Sequence, residues 1–170
     1  MYCPACGTVN KPGSDACGNC MLSLAHLDDP TPHDRIERRL MTDPVAVLHP
    51  RAPVTVAADA DLGTAIRRMV DGNVGAVLVT VADGTLAGIL TERDFLTKVA
   101  GQPGYASLPA RDFMTPAPET VAPTDTLAFA LGKMDAGGYR HLPVVADGRP
   151  VGVISVRDVL RHVTRVCQTG

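Results

Sequence analysis

Residues 55–94 read TVAADADLGTAIRRMVDGNVGAVLVTVADGTLAGILTERD, and residues 120–158 read TVAPTDTLAFALGKMDAGGYRHLPVVADGRPVGVISVRD. Laid over one another, the two stretches match at intervals that run their whole length. Thr55, Val56 and Ala57 return as Thr120, Val121 and Ala122; Leu62, Ala65, Met69 and Gly72 return as Leu127, Ala130, Met134 and Gly137. One residue is then lost. After it Asp83-Gly84 matches Asp147-Gly148, Gly88 matches Gly152, and Arg93-Asp94 matches Arg157-Asp158. A repeat of this length marks one supersecondary unit used twice.

Each copy parses the same way. A short extended piece at Thr55-Val56 or Thr120-Val121 leads into a helix, with Asp59 or Thr124 as the expected N-cap. Leu62, Ala65, Ile66, Met69 and Val70 recur at helical spacing in the first copy, and Leu127, Ala130, Leu131 and Met134 in the second. Two strands follow, over 74–81 and 86–90 and then over 141–146 and 151–154, with Asp-Gly between apolar runs as the hairpin signal. A second helix closes each unit, with Phe95, Leu96 and Val99, or Val159, Leu160 and Val163, on its buried side. The order is β-α-β-β-α, twice. Neither half carries enough apolar surface to stand alone, so the expected fold is α/β, two pseudo-symmetric repeats packed sheet to sheet.

Outward from the repeats the chain changes character. Four of its five cysteines, Cys3, Cys6, Cys17 and Cys20, fall in the first twenty residues as two Cys-x-x-Cys pairs around a turn-rich loop with Asn10, Lys11, Pro12, Gly13 and Ser14. Four thiolates at this spacing are what tetrahedral zinc requires, and the segment resembles a short zinc ribbon of the rubredoxin-like knuckle type. Two disulfides would need an oxidising compartment, and a redox pair a βαβ context; the sequence offers neither. Cys167 stands alone. The expected organisation is a zinc ribbon over 1–21, a linker and short helix over 22–38, a first repeat over 39–100, a linker over 101–111, a second repeat over 112–166 and a tail over 167–170. Within the linker, residues 21–32 read as a connector and 33–41 as a helix with Ile36 and Leu40 on its apolar side. Leu40-Met41-Thr42 ahead of the first copy rhymes with Phe113-Met114-Thr115 ahead of the second, which implies eight extra residues before Thr55, a loop that either covers a cleft mouth or does nothing.

Composition narrows the function. Hydrophobic residues make up 45% of the 170 and charged residues 20%, a globular balance. Sixteen Lys+Arg against eighteen Asp+Glu exclude a polybasic nucleic-acid or membrane binder, and 4% aromatics with no Trp exclude a stacking platform for single strands. The apolar run at 74–82 is too short to span a bilayer, and the first twenty residues hold no apolar leader, so a cytoplasmic protein is expected. There is no Gly-x-Ser-x-Gly, phosphate loop or Gly-x-Gly-x-x-Gly, and His26, His33, His49, His141 and His162 lack metal-ligand spacing, so no enzyme is expected.

The chemistry sits where each copy's last strand runs into its last helix, at Gly88-Ile-Leu-Thr91-Glu-Arg93-Asp94 and Gly152-Val-Ile-Ser155-Val-Arg157-Asp158. A hydroxyl at the helix mouth, the free N–H groups of the first turn, an arginine and a carboxylate one turn on together suit a sugar phosphate. The same pattern is also a capping-box variant, with the Asp reaching back to the cap. Both readings stand on the sequence.

With these endings, the Asp112-Phe-Met-Thr-Pro116 lead-in and the Tyr139-Arg-His-Leu-Pro-Val-Val145 strand, the chain from about Arg39 to Val163 resembles a tandem pair of CBS (cystathionine-β-synthase) domains, a Bateman module. The resemblance implies a non-catalytic regulatory module that binds an adenosyl ligand between the repeats, dimerises through them and signals to a protein partner. It implies that Asp94 and Asp158 hold ribose, that Thr91 and Ser155 meet phosphate with Arg93 and Arg157 assisting, and that Thr55, Val56, Thr120 and Val121 frame adenine together with Arg140, His141, Leu142 and Pro143. The alternative is an adaptor whose zinc ribbon is the working surface, docking protein rather than nucleic acid, with vestigial clefts. Structural zinc and an adenine nucleotide are the two bound species expected.

Overall fold

In the computed structural model, residues 3, 5–11, 13–24 and 34–168 are described. Their contacts divide the chain into units 1–38 and 39–170. The connector expected over 21–32 falls largely outside the described residues, as does His33. The helix beyond it, α1, runs Arg35–Thr42 and opens on Asp34, whose Oδ1 accepts from Glu37 N at 2.8 Å.

In the larger unit the first copy consists of β1 (Thr55–Ala57), α2 (Leu62–Gly72), β2 (Ala76–Thr80) and β3 (Leu86–Thr91). A helical turn, α3 (Glu92–Asp94), then passes into π-helical winding over Phe95–Val99. After β4 (Thr115–Pro116), the second copy supplies α4 (Leu127–Gly137), β5 (His141–Ala146), β6 (Arg149–Ser155) and α5 (Val156–Gln168). β1 pairs parallel with β2, and β2 antiparallel with β3. The second copy repeats this with a parallel bridge from Val121 to Val144 beside the β5–β6 hairpin. That hairpin turns on Asp147 and Gly148, both at positive φ (50° and 75°), the two-residue turn whose twist suits paired strands.

The two copies are interlocked by their lead-ins, not merely stacked. β4 pairs with β3 of the first copy, and Arg51 bridges to Val153 of β6 in the second. Leu62 N, opening α2, donates to Leu108 O; Leu127 N, opening α4, donates to Asp43 O. Val45 is buried in the second copy's core with Leu127, Leu142 and Ile154, and Ala110 in the first copy's core with Leu62, Met69 and Leu90. Between the sheets Ala76, Leu78 and Ile89 meet Val153. Each lead-in thus completes the other copy's core, so the apolar surface missing from each half comes from its twin.

This exchange corrects two sequence-based expectations. The caps are Asp61, whose side chain accepts from Thr64 N at 2.6 Å, and Thr126, which accepts from Phe129 N at 3.2 Å; Asp59 and Thr124 lie two residues too early. The bridges Asp61–Pro109 and Pro44–Thr126 hold the chain extended up to those residues, so the helices begin only there. The same bridges make Pro44 the counterpart of Pro109, and the 3₁₀ turn Val45–Leu48 the counterpart of Ala110–Asp112. Thr55 and Thr120 each lie 11 residues beyond these prolines (55 − 44 and 120 − 109), so the first copy carries no extra residues before Thr55, and Leu40-Met41-Thr42, in α1, is not the counterpart of Phe113-Met114-Thr115. Leu96 (76% exposed) and Leu160 (60%) also point outward, against expectation.

Gly152 shows how close the interlock is. A Cβ there would lie 2.5 Å from Pro50 Cβ, whereas one on Gly132 in α4 would meet nothing within 4 Å. Gly152→Ala is expected to cost on the order of 1 kcal/mol or more in urea unfolding, and Gly132→Ala to gain about 0.5–1 kcal/mol from helix propensity. Equal effects would mean the lead-in is not held against β6.

Candidate functional site

The β6–α5 junction opens on a cavity of about 1290 Å³. One wall is the second copy's: Arg140 and His141 at the start of β5, then Ser155, Arg157 and Asp158, then Arg161, His162 and Arg165 along α5. The facing wall is the first copy's: the lead-in from Val47 to Val54, the α2 residues Ile66, Met69 and Val70, Asn73 to Ala76, and Glu92. A space of this size exceeds the ordinary range for one drug-sized ligand, about 300–1,000 Å³. Gly75 lets the walls approach, since a Cβ there would meet the His141 ring at 3.3 Å and the Glu92 carboxyl carbon at 3.5 Å.

In both copies the aspartate side chain reaches back to the hydroxyl residue, and at Thr91–Asp94 the reciprocal capping box is complete. Asp158 Oδ2 accepts from Ser155 N (2.8 Å) and Ser155 Oγ (2.6 Å), and Asp94 Oδ2 accepts from Thr91 N (2.9 Å) and Thr91 Oγ1 (2.7 Å). The second oxygens differ. Asp158 Oδ1 has Arg161 Nη1 at 3.4 Å, whereas Asp94 Oδ1 has Lys98 Nζ at 2.7 Å. Burial works against the charge on Asp94, but Lys98 and the Thr91 donors outweigh it and hold the carboxyl below its usual range.

The cavity is cationic although the chain is not. Five arginines (51, 140, 157, 161 and 165) face it against the carboxylates of Glu92 and Asp158. Among the described residues no ion pair engages Arg51, Arg140 or Arg157. Their charge is available to an anion. Burial pushes the His141 imidazole below its ordinary value; Glu92 and Asp158 work against this, Arg140 and Arg157 with it. On the α5 wall His162 Nε2 lies 2.8 Å from Asp43 Oδ2, which also has Arg39 Nε at 3.2 Å, so α5 is tied to the chain just after α1.

Of the residues singled out in the sequence, Arg140, His141, Ser155, Arg157 and Asp158 come together on this cavity. Val56, Val121 and Leu142 are core residues, and Pro143 is buried in β5 beside them. Thr55 sits in β1 opposite Leu78, and its neighbour Val54 lines the cavity instead. Thr120 gives its carbonyl to Lys133 Nζ at 2.9 Å. Thr91, Arg93 and Asp94 stand at the equivalent mouth in the first copy, where only Glu92 between them reaches this cavity. Sequence reading passed over Glu92, Arg51, Arg161 and Arg165. The last two follow Arg157 at i+4 and i+8, a legible stripe; Arg51 and Glu92 reach the site only through the crossing of copies.

The smaller unit holds a candidate metal centre. The Sγ atoms of Cys3, Cys6, Cys17 and Cys20 lie within 4.8 Å of one another, with Cys3 to Cys20 at 3.5 Å and Cys6 to Cys17 at 3.6 Å. These distances are too long for disulfides and close to the edge, about 3.8 Å, of a tetrahedron of sulfurs around zinc. The knuckles close by Gly7 N→Cys3 O (2.9 Å) and Met21 N→Cys17 O (3.0 Å), and Asn19 N donates to Cys17 Sγ at 3.5 Å. Hydrogen bonds from Thr8 draw the Cys6 thiol down to about 5. A Leu22 backbone bond favours the Cys20 thiolate, but the Cys6 and Cys3 sulfurs crowd it up to about 12. Four thiolates at these distances need a cation among them, so the donor set fits a thiophilic metal.

A family model described as CBS domain matches residues 38–101 and 110–165. A CBS domain-containing protein of Arabidopsis thaliana is 40% identical over 109 residues, 63% of this chain and 20% of the relative, so the chain corresponds to about a fifth of that protein's length. The crystal structure of a CBS-domain containing protein from Agrobacterium tumefaciens matches with a TM-score of 0.63 at 34% identity, covering 69% of this chain and 94% of that one. A CBS domain protein of Pyrobaculum aerophilum, solved in complex with AMP, matches with a TM-score of 0.64 at 28% identity, covering 72% and 98%. Among the described residues, no helix is long and apolar enough to cross a membrane.

Proposed function

The chain belongs to the CBS domain family, and from that premise we propose that it is a non-catalytic regulatory module whose cavity at the β6–α5 junction binds a phosphorylated adenosyl ligand. The observation that carries this reading is the meeting of Ser155, Arg157 and Asp158 with Arg140 and His141 on one large cationic cavity whose other wall is the first copy. In it Asp158 Oδ1 accepts from both hydroxyls of the ribose, the α5 N-terminus and Arg157 receive phosphate, and the base lies toward Val54 and Ile66. A ligand touching both copies favours one packing of them over another, which is the differential affinity a sensor needs. A homodimer through the repeats and a protein partner complete the proposal, together with structural zinc in the ribbon and a cytoplasmic setting.

Calorimetric titration of the full chain with AMP, ADP, ATP and S-adenosylmethionine tests it. Binding of at least one phosphorylated ligand is expected, weakening as salt is raised, because the arginines act through charge. No heat from any of the four favours the adaptor reading, in which the ribbon is the working surface and both carboxylates serve only as caps.

A further inference from the structure

Two copies of one motif invite the assumption of two equivalent ligand sites, but their carboxylates are not in the same state. Asp94 spends one oxygen on Thr91 and the other on Lys98 Nζ at 2.7 Å; that ammonium also donates to Phe113 O at 3.1 Å, and the Asp94 side chain is 10% exposed. Asp158 spends one oxygen on Ser155 in the same way, but the other has only Arg161 at 3.4 Å, and its side chain is 34% exposed, on the cavity. The counterpart of Lys98, one turn after the motif in the second copy, is His162, and its Nε2 is taken by Asp43. The basic side chain four residues on therefore closes over the carboxylate in the first copy and is held away from it in the second.

We propose that Lys98 is a built-in occupant of the first copy's carboxylate, so that the chain takes one adenosyl ligand, at Asp158, and none at Asp94. The inference rests on the adenosyl reading of the cavity and adds the number of sites and the residue that sets it. A ribose hydroxyl offered to Asp94 must displace a charge-assisted hydrogen bond already made inside the protein. It would also part the ammonium from its charged acceptor, a poor exchange for a neutral donor. At Asp158 the same hydroxyl displaces only a long contact to an exposed arginine.

Titration with AMP and with ATP, read for stoichiometry, tests this. The unaltered chain is expected to bind one ligand per chain, Asp94→Asn to keep that stoichiometry with affinity within about twofold, and Lys98→Met to bind two. Two ligands on the unaltered chain, loss of binding in Asp94→Asn, or a folded Lys98→Met that still binds one would each overturn the assignment of Lys98. Should Lys98→Met fail to fold, the first two measurements decide. Absence of binding by the unaltered chain with either nucleotide overturns instead the adenosyl reading beneath the inference.

Discussion

A strong chelator is expected to strip one zinc per chain and to abolish the order of residues 3–24, while residues 39–170 keep their unfolding transition. The reason lies in how little else the ribbon has. Among the described residues its buried apolar set is Cys3, Cys17 and Leu24, two of them candidate metal ligands, so packing contributes almost nothing once the metal leaves. A structural zinc in a peptide of this kind supplies an apparent ~10–16 kcal/mol at neutral pH, and in so small a unit that is the folding free energy. The larger unit has its own cores and depends on no cysteine in that set. Metal analysis and amide exchange on the full chain before and after chelation give the readout. A metal-free ribbon with protected amides at Gly7 and Met21 would refute the metal centre.

Asp158→Ala is expected to lower affinity for adenine nucleotides by at least about a hundredfold while costing on the order of 1 kcal/mol of stability. The two effects separate because the two oxygens have separate tasks. Oδ2 accepts from Ser155 N and Oγ, a cap, and losing a cap costs about 1 kcal/mol. Oδ1 faces the cavity with only a 3.4 Å contact, free for a ligand hydroxyl, and hydrogen bonds to a charged acceptor are worth about 1.5–3 kcal/mol each. Two such bonds to one ribose exceed the hundredfold mark. Calorimetry and thermal melts on the same sample decide. Unchanged affinity with a fallen melting temperature would make Asp158 a cap and nothing more.

Much of this protein is legible in order along the chain, because the signals are local. The four cysteines mark their ribbon through spacing alone, and the Asp-Gly turns and the 3.6-residue periods mark each copy's elements. The Ser/Thr-x-x-Asp closure is read from residues three apart and forms in both copies, as a complete capping box at Thr91, though that geometry by itself does not separate cap from ligand site. Local pattern places the caps two residues early because Leu62 N and Leu127 N donate to carbonyls of the other copy's lead-in, Leu108 O and Asp43 O, which no local pattern records. The exposure of Leu96 and Leu160 escapes local pattern for a related reason: apolarity at helical spacing says that a face is oily, not that anything covers it.

The sequence by itself determined that there are two copies of one β-α-β-β-α unit, where the hydroxyl, arginine and aspartate of each would stand, and that a thiolate cluster precedes them, since each follows from residue types a few positions apart. Only the tertiary structure decided that Val45 belongs to the second copy's core and Ala110 to the first's, that Arg51 and Glu92 face the cavity of Asp158, and that Lys98 closes on Asp94 while Asp43 draws His162 away. Those are pairings between groups whose separation in space is set by chain crossing, and free energies of contact depend on that separation and not on distance along the chain.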